Sequence, residues 1–257
     1  MNLDFSDVKI LVIGDPMVDE YHFGHVDRIS PEAPVPIFLQ DSAESRAGGA
    51  ANVYCQLNML GCKTKAAFPM RANNWFGWTQ KNRYMVGNHQ LFRHDHDRCV
   101  ENSLSNSHPL NQFDAIVISD YAKGACTPNI CQKAISTGVP VIVDPKGKDW
   151  SKYQGCTVIC PNHLEVNGNE GFDVIEKRGP LGLRYKGIDY PSTAKRVYDV
   201  TGAGDVVVSI IAACVAKGID IPTACRLANL AAGYAVEQVG TTVCPIEKLR
   251  DLCKDLA

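Results

Sequence analysis

The sequence predicts an α/β fold with a mainly parallel central sheet and a small β-lid, on three observations. First, four apolar, β-branched segments each end in polar residues. Val8 to Ile13 runs into Gly14-Asp15, Ala115 to Ile118 into Ser119-Asp120, Val139 to Val143 into Asp144-Pro145-Lys146, and Thr157 to Cys160 into Pro161-Asn162. Continuous runs of this kind read as strands buried on both faces of a parallel sheet. Second, a helix with clear boundary residues separates two of them: Thr127 at the N-cap, Pro128 at the first position and Gly138 past the end. That is a βαβ unit with a right-handed crossover. Third, Asp199-Val200-Thr201-Gly202-Ala203-Gly204-Asp205 opens the apolar run Val206 to Ala216, a buried helix stopped by Lys217-Gly218. Ligands of open α/β sheets bind beyond the carboxyl ends of the strands. The polar residue at the end of each strand therefore marks that edge as the active-site edge.

The remaining elements follow along the chain. Met1 to Asp7 is acidic and leads directly into the first strand. Tyr21 to Gln40 carries Pro31, Pro34 and Pro36 with a short apolar piece at Val35 to Leu39, a pattern that suits a β-lid or arm. Arg83 to Arg93 reads as a hairpin around Gly87-Asn88. Together they predict a small sheet formed by about 20–41 and 83–95. Arg46-Ala47-Gly48-Gly49-Ala50-Ala51-Asn52 reads as the opening of a helix that runs to Leu60 and closes at Gly61. Its double glycine serves close approach either of a ligand or of a packed strand. Two late helices are expected, from about Pro222 to Gln238 and from Pro245 onward.

A chain of 257 residues, 45% hydrophobic and 21% charged, is long enough for a sizeable core. A net charge of −2 with scattered Lys and Arg argues against nucleic acid or an anionic membrane as partner. No apolar run reaches the ~20 residues that span a bilayer, and a cytoplasmic protein is expected. The eleven cysteines include no C-x-x-C pair; Cys126/Cys131 and Cys156/Cys160 are the closest neighbours. Most lie in apolar runs, as reduced thiols of a core do. His94-Asp95-His96 reads as polar strand or turn rather than a metal pair.

The glycine-rich stretch has two readings. As an anion site, the free N–H groups at the start of a helix and its positive dipole end meet a phosphate, with Gly202 and Gly204 allowing close approach. Asp205 at the edge of such a cradle suits proton abstraction from an attacking hydroxyl. The other reading is a glycine turn whose aspartate stabilises its helix.

The motifs D-V-T-G-A-G-D at 199–205, G-G-A-A-N at 48–52 and G-D-P-M-V-D-E-Y at 14–21 resemble those of the ribokinase-like (PfkB) carbohydrate kinases. The likeness narrows with R-I-S-P-E-A-P-V-P at 28–36, G-N-H-Q-L-F-R at 87–93, S-D-Y-A-K-G at 119–124, D-P-K-G at 144–147 and P-N-H-L-E at 161–165. That set is similar to the kinase domain of the bacterial heptose-7-phosphate kinases of ADP-heptose synthesis. The resemblance implies a ribokinase-like three-layer sandwich and transfer of the ATP γ-phosphoryl group to the anomeric hydroxyl of D-glycero-β-D-manno-heptose 7-phosphate. In many relatives this kinase is fused to an adenylyltransferase; here a single kinase domain is expected over 1–257, with no adenylyltransferase domain and no H-x-G-H nucleotidyltransferase motif.

Carried over by residue, the resemblance makes Asp205 the base and Gly202, Ala203 and Gly204 the anion hole. Asn162 and Glu165 match N-x-x-E beside the nucleotide phosphates, with Glu165 holding Mg²⁺ through water. Gly179, Gly182 and Asn229 fall to the ATP site. Asp19, Gly48, Gly49 and Asn52 fall to the sugar. Lys123 and Lys146 are candidates near the phosphates, and Arg28 or Arg93 from the lid for the 7-phosphate, since an arginine fork pairs with phosphate oxygens. A solvated surface charge is the other reading for each of these basic residues. Relatives pair their lids across a two-fold axis, which implies a homodimer.

Two departures stand out. Lys177-Arg178-Gly179 occupies the place of the family's T-R-G, with lysine for threonine. The interval from Glu165 to Asp173 is short for a parallel crossover, so an element of the sheet and part of the nucleotide cover are expected to be missing. The alternatives are another sugar kinase of this fold, acting on ribose or fructose, or a non-catalytic relative that binds a sugar phosphate or a partner chain. The lid sequence at 28–36 argues against the first. Retention of base, anion hole and N-x-x-E together argues against the second.

Overall fold

A computed structural model describes residues 3–68, 77–99, 109–166, 171–238 and 240–254. In chain order it contains β1 (Lys9–Gly14), β2 (Pro16–Ile29), β3 (Pro36–Gly49), α1 (Ala50–Met59), β4 (Lys63–Ala66), β5 (Thr79–Val86) and β6 (His89–His96). Then follow β7 (Ala115–Ser119), α2 (Pro128–Ile135), β8 (Val141–Asp144), β9 (Val158–Ile159), β10 (Ile175–Lys177), β11 (Leu183–Tyr185) and β12 (Ile188–Tyr190). Three helices complete it: α3 (Ala203–Ala216), α4 (Ile221–Val236) and α5 (Ile246–Lys254).

The four apolar segments become β1, β7, β8 and β9, which with β4 form a parallel sheet in the order β4-β1-β7-β8-β9. Successive side chains of a strand point to opposite faces, and here both faces are dry. Ile10 and Val12 join one core with α1, α3, α4 and α5, whereas Leu11 and Ile13 join another with Cys131 and Ala134 of α2 and with Trp150 and Tyr153. This is the three-layer arrangement expected. Helix α2 starts where its residues predict: the Thr127 side chain accepts the Ile130 N–H, and Pro128 opens the first turn. Valine and isoleucine are modest helix formers, yet α3 carries them because Val206 to Cys214 are all buried.

The lid is larger than its sequence suggested. Strands β2 and β3 have 14 residues each and form a second sheet with the hairpin β5–β6, in the order β3-β2-β5-β6. Gly87, at φ 58°, turns the hairpin. Arg46 to Gly49, expected to open a helix, are instead the last residues of β3, and α1 begins at Ala50. The cause is local. Arg46 pairs with Asp19 and Gly49 with Pro16 across the ladder, and Gly49 takes φ 55°, a backbone that stops the strand and caps the helix. A tetrapeptide of the form H-x-G-H does occur, contrary to expectation, as His22-Phe23-Gly24-His25. It lies within β2, where His22 bonds Gln40 and Asn82 and His25 bonds Asp41, so both imidazoles are spent on lid contacts.

The missing crossover is also explained. Beyond β9 the sheet continues through single parallel bridges, Ile159 to Val174 and Asn162 to Lys177, into the antiparallel β10-β11-β12. Among the described residues no helix joins β9 to β10. Residues 167–170 of that interval lie outside the described residues; ahead of them the chain turns at Asn162 to Glu165, where the Asn162 side chain accepts the Leu164 N–H at 2.9 Å and a Glu165 oxygen accepts the Asn162 N–H at 3.0 Å. All eleven cysteines are free thiols. Among the described residues no helix is long and apolar enough to cross a membrane.

Candidate active site

The loop before α3 is pinned at two points. One Asp199 oxygen accepts the Thr201 N–H at 2.8 Å, and the other accepts the Gly240 N–H at 3.1 Å. Gly202 then takes φ 79° and gives the first turn no side-chain cap. A Cβ at Gly202 would lie 2.7 Å from Asn52 Nδ2 and 2.8 Å from Thr241 Cγ2, so glycine is required by contact as well as by backbone. The Ala203 N–H reaches back to the Val200 carbonyl at 3.3 Å, which removes it from the expected anion hole. Gly202 and Gly204 keep their places beside the cradle, and Gly204 lines the adjoining cavity.

Asp205 follows in the first turn of α3, 2% exposed. Its Oδ2 accepts from Asn52 Nδ2 at 2.8 Å and its Oδ1 from the Tyr121 hydroxyl at 2.7 Å. Burial pushes its carboxyl up from 3.8 to about 6; Asp144 adds to the rise, while the Asn52 and Tyr121 hydrogen bonds and Lys177 oppose it. A buried carboxyl poised near neutrality is suited to taking a proton. Asn52 was expected to face the sugar, but its amide nitrogen is committed to Asp205. Tyr121 had no assigned role, although it stands in the S-D-Y-A-K-G stretch.

On the lid side of Asp205, Asp19 is buried. Arg83 donates to one of its oxygens at 2.5 Å and the Thr241 hydroxyl to the other at 3.0 Å. Gly48 makes room for it, since a Cβ there would come within 2.6 Å of Asp19 Oδ2. Asp19, Tyr21, Lys81, Arg83, Arg93 and Arg46 all lie on one face of the lid, because residues directly paired across neighbouring strands share a face. Burial foremost, with Arg83 and Arg93 adding, holds the Lys81 ammonium below its ordinary value, while Asp19 and Asp205 work against that shift. Arg46 and Arg83 both lie over the Tyr21 ring, at 5.1 and 5.2 Å. Arg83 reads in the sequence only as the start of a hairpin strand and Lys81 belongs to no motif, although their spacing of two on a strand marks a shared face.

On the other side of Asp205 opens a cavity of about 540 Å³. Asn162, Glu165, Gly179, Gly182 and Asn229, expected at a nucleotide site, line it together with Lys146, a candidate near the phosphates grouped with the substrate residues. Asn229 serves its wall: Nδ2 donates to the Tyr190 carbonyl at 2.7 Å. Lys146 Nζ lies 3.4 Å from Glu165. A magnesium ion that keeps most of its water and takes phosphate oxygens needs only a carboxylate or two from the protein, and Glu165 fits that requirement.

Two basic candidates are not brought to the site. The Lys123 backbone N–H is held by Asp15 and its ammonium by Asp97, in a separate cavity beside Arg98 and Cys99. Arg28 is exposed near the end of β2, and the strand from position 19 to 28 covers roughly 30 Å at about 3.3 Å per residue. Arg93 does reach the cationic face, though it is exposed and forks onto Asp95. His94 is in β6, as polar strand. Among the described residues one cluster, Asp15, Asp120 and Cys126, brings three possible metal-binding side chains together. Its carboxylates are already spent: Asp15 accepts the N–H groups of Tyr121, Lys123 and Ala125, and Asp120 accepts from Ala122, Tyr153 and Lys152.

A parallel three-layer core, an uncapped glycine turn beside a buried carboxylate, and a nucleotide-sized cavity behind it define a phosphotransferase of the α/β class. Residues 90–249 match the family model described as pfkB family carbohydrate kinase, and the chain belongs to that family of ATP-dependent sugar kinases. It is similar to the bifunctional protein HldE of Campylobacter jejuni subsp. doylei, 36% identical over 94% of this chain and 64% of that protein. It is also similar to that of Shewanella sediminis, 37% identical over 96% of this chain and 64% of that protein. The chain thus spans just under two thirds of the length of these curated relatives. Its fold matches the ribokinase of Thermotoga maritima, with TM-score 0.76, 16% identity and coverage of 96% and 99% of the two chains. It also matches the phosphofructokinase-2 of Escherichia coli, solved with potassium, with TM-score 0.70, 17% identity and coverage of 98% and 99%.

Proposed function

We propose that this chain transfers the γ-phosphoryl group of ATP, as its magnesium complex, to the anomeric hydroxyl of D-glycero-β-D-manno-heptose 7-phosphate, giving the 1,7-bisphosphate. The observation that carries the sugar assignment is the cationic lid face: Lys81, Arg83 and Arg93 lie on the same face as Asp19. Arg83 pairs with Asp19, and Arg93 with Asp95, which lies opposite Lys81 on the same face; Lys81, which among the described residues forms no ion pair, is the charge a phosphorylated sugar would meet and a neutral sugar would not need. Similarity to HldE proteins along nearly the whole chain supports the same reading. In this reading Asp19 and the Tyr21 hydroxyl, which among the described residues has no partner, meet sugar hydroxyls. Arg93 and Lys81 meet the 7-phosphate. Asp205 takes the proton of the anomeric hydroxyl as its oxygen attacks, and the Gly202 and Gly204 amides stabilise the charge on the phosphoryl group.

The test is a panel of sugars and sugar phosphates offered with Mg-ATP, with ADP release followed and the product's phosphate position read by phosphorus NMR. The heptose 7-phosphate should be used best and gain a phosphate at C1. Preference for ribose or fructose would transfer the assignment to another sugar kinase of the family. No turnover of any sugar would favour a binding protein.

A further inference from the structure

Lys177 stands where the sequence departs from its family pattern, and its side chain is in an unusual position. It ends β10, whose N–H at Lys177 is held by the Pro161 carbonyl at 2.8 Å. From there the side chain runs to the start of α3. A Cβ on Gly204 would lie 3.3 Å from Lys177 Nζ, with the lysine Cε and Cδ next nearest. The ammonium therefore sits directly against the glycine turn, and its side chain is only 13% exposed. Its partner is Asp144 at the end of β8, 2.5 Å away. Burial opposes the charge, but Asp144 more than offsets that and holds the ammonium above its usual value. Lysine, Asp144 and Gly204 all line the nucleotide-sized cavity.

We propose that Lys177 is a catalytic residue of this kinase: its ammonium contacts the γ-phosphoryl group during transfer, with Asp144 as the positioning residue that aims it. The inference rests on the kinase reaction and not on which sugar is used. In that reaction the sugar oxygen forms a bond to the γ-phosphorus while the bond to the β–γ bridging oxygen breaks. The electron pair of the broken bond leaves with ADP, and the hydroxyl proton goes to Asp205. Lys177 keeps its protons throughout. Its role is to place one full positive charge beside oxygens whose charge is redistributed in the transition state, at a point where the glycine amides supply only partial charges. A compact ammonium suits this position, because Gly204 presents no Cβ, which would lie in tight contact with Nζ at 3.3 Å. A lysine that served only to neutralise Asp144 would have no need to lie over the glycine turn.

The test separates nucleotide contact from ion-pair support. K177M keeps an unbranched side chain, one atom shorter, and removes its charge, and D144N/K177M removes the partner charge as well, so that a folded protein is available if the single variant is unstable. Calorimetric binding of ADP and of the nonhydrolysable analogue adenylyl imidodiphosphate, both with magnesium, is compared with wild type, and turnover is measured alongside. Removal of one such donor costs about 10²–10³ in kcat, and that loss is expected in both variants. Affinity for the triphosphate analogue should fall by about tenfold or more, with ADP affinity changed by no more than about threefold, as loss of one charge-assisted contact implies. Equal losses for ADP and the analogue, or a folded D144N/K177M protein with wild-type turnover, would overturn the assignment and leave Lys177 as a counter-ion. Because the binding measurement needs no sugar, a wrong sugar assignment would leave it intact.

Discussion

Asp205 concentrates the chemistry proposed for the site in one carboxyl. Its two oxygens are held by Asn52 and Tyr121, so replacement by asparagine preserves shape while removing the base. Asp205→Asn should retain nucleotide binding and lose about 10²–10⁴ in turnover, the usual worth of a positioned base; a variant with normal turnover would exclude Asp205 from proton transfer. The raised value of about 6 sets a second expectation. The base works ionised, so kcat/KM should rise with pH through about 6 and level off above it. The stability consequence has the opposite sense. A buried carboxyl whose folded value exceeds its unfolded one is fully tolerated below pH 3.8 and costs stability as pH climbs to about 6. The total is on the order of 3 kcal/mol. Thermal melts should therefore show wild type losing ground to Asp205→Asn between pH 4 and pH 7, and parallel pH profiles would contradict the shift.

At the scale of elements, the proposed selectivity for a phosphorylated sugar belongs to the lid. Strand β5 pairs with β2 on one side and β6 on the other, so Lys81, Arg83 and Arg93 are carried over the core as one block. Arg83 is different from the other two. It is buried against buried Asp19, and removing one member of such a pair costs about 3–5 kcal/mol, so its loss would disturb folding and binding together. Arg93 is the cleaner probe, because it is exposed and its partner Asp95 is solvated. Arg93→Ala should raise KM for a phosphorylated sugar about tenfold to a hundredfold, the worth of a charge-assisted hydrogen bond, and leave KM for the unphosphorylated sugar unchanged. Equal effects on the two sugars would remove Arg93 from phosphate recognition.

At the scale of the molecule, the far face of the lid is where a partner is expected. His22 and Phe92 stack on Tyr84 at 4.7 and 4.3 Å, and Phe38 meets Tyr84 edge-on. Phe92 is nevertheless 47% exposed, and Ile29 and Val35, near the ends of the lid strands, are more exposed still. A four-stranded sheet with one face on the active site and aromatics on the other suits pairing with a second copy. The expected assembly is a homodimer through the lids. Light scattering at micromolar concentration should return twice the mass of the 257-residue chain, and a strictly monomeric protein with full activity would refute it.

What could be read from the sequence alone is what local chemistry determines. Continuous apolar runs specify doubly buried strands, Thr127-Pro128 specify a helix start, and Thr-Gly-Ala-Gly-Asp specifies a turn that only glycine can make. The residues around them place Asp205 at a helix start and Asn162 at a strand end, and the resemblance to N-x-x-E adds Glu165. Other features depended on pairings between distant segments, and no local signal carries those. Arg46 to Gly49 could open a helix until Asp19 and Pro16 pair with them as strand. Lys123 could face a phosphate until Asp97 takes its charge. Asn52 could hold a sugar until α3 brings Asp205 within 2.8 Å. Lys177, in the sequence only a departure from the family's T-R-G, is brought over Gly204 because β10 docks beside β9 and Asp144 draws its ammonium there. Buried charges take their positions from the partner they find, and that partner is chosen by the packing of the whole chain.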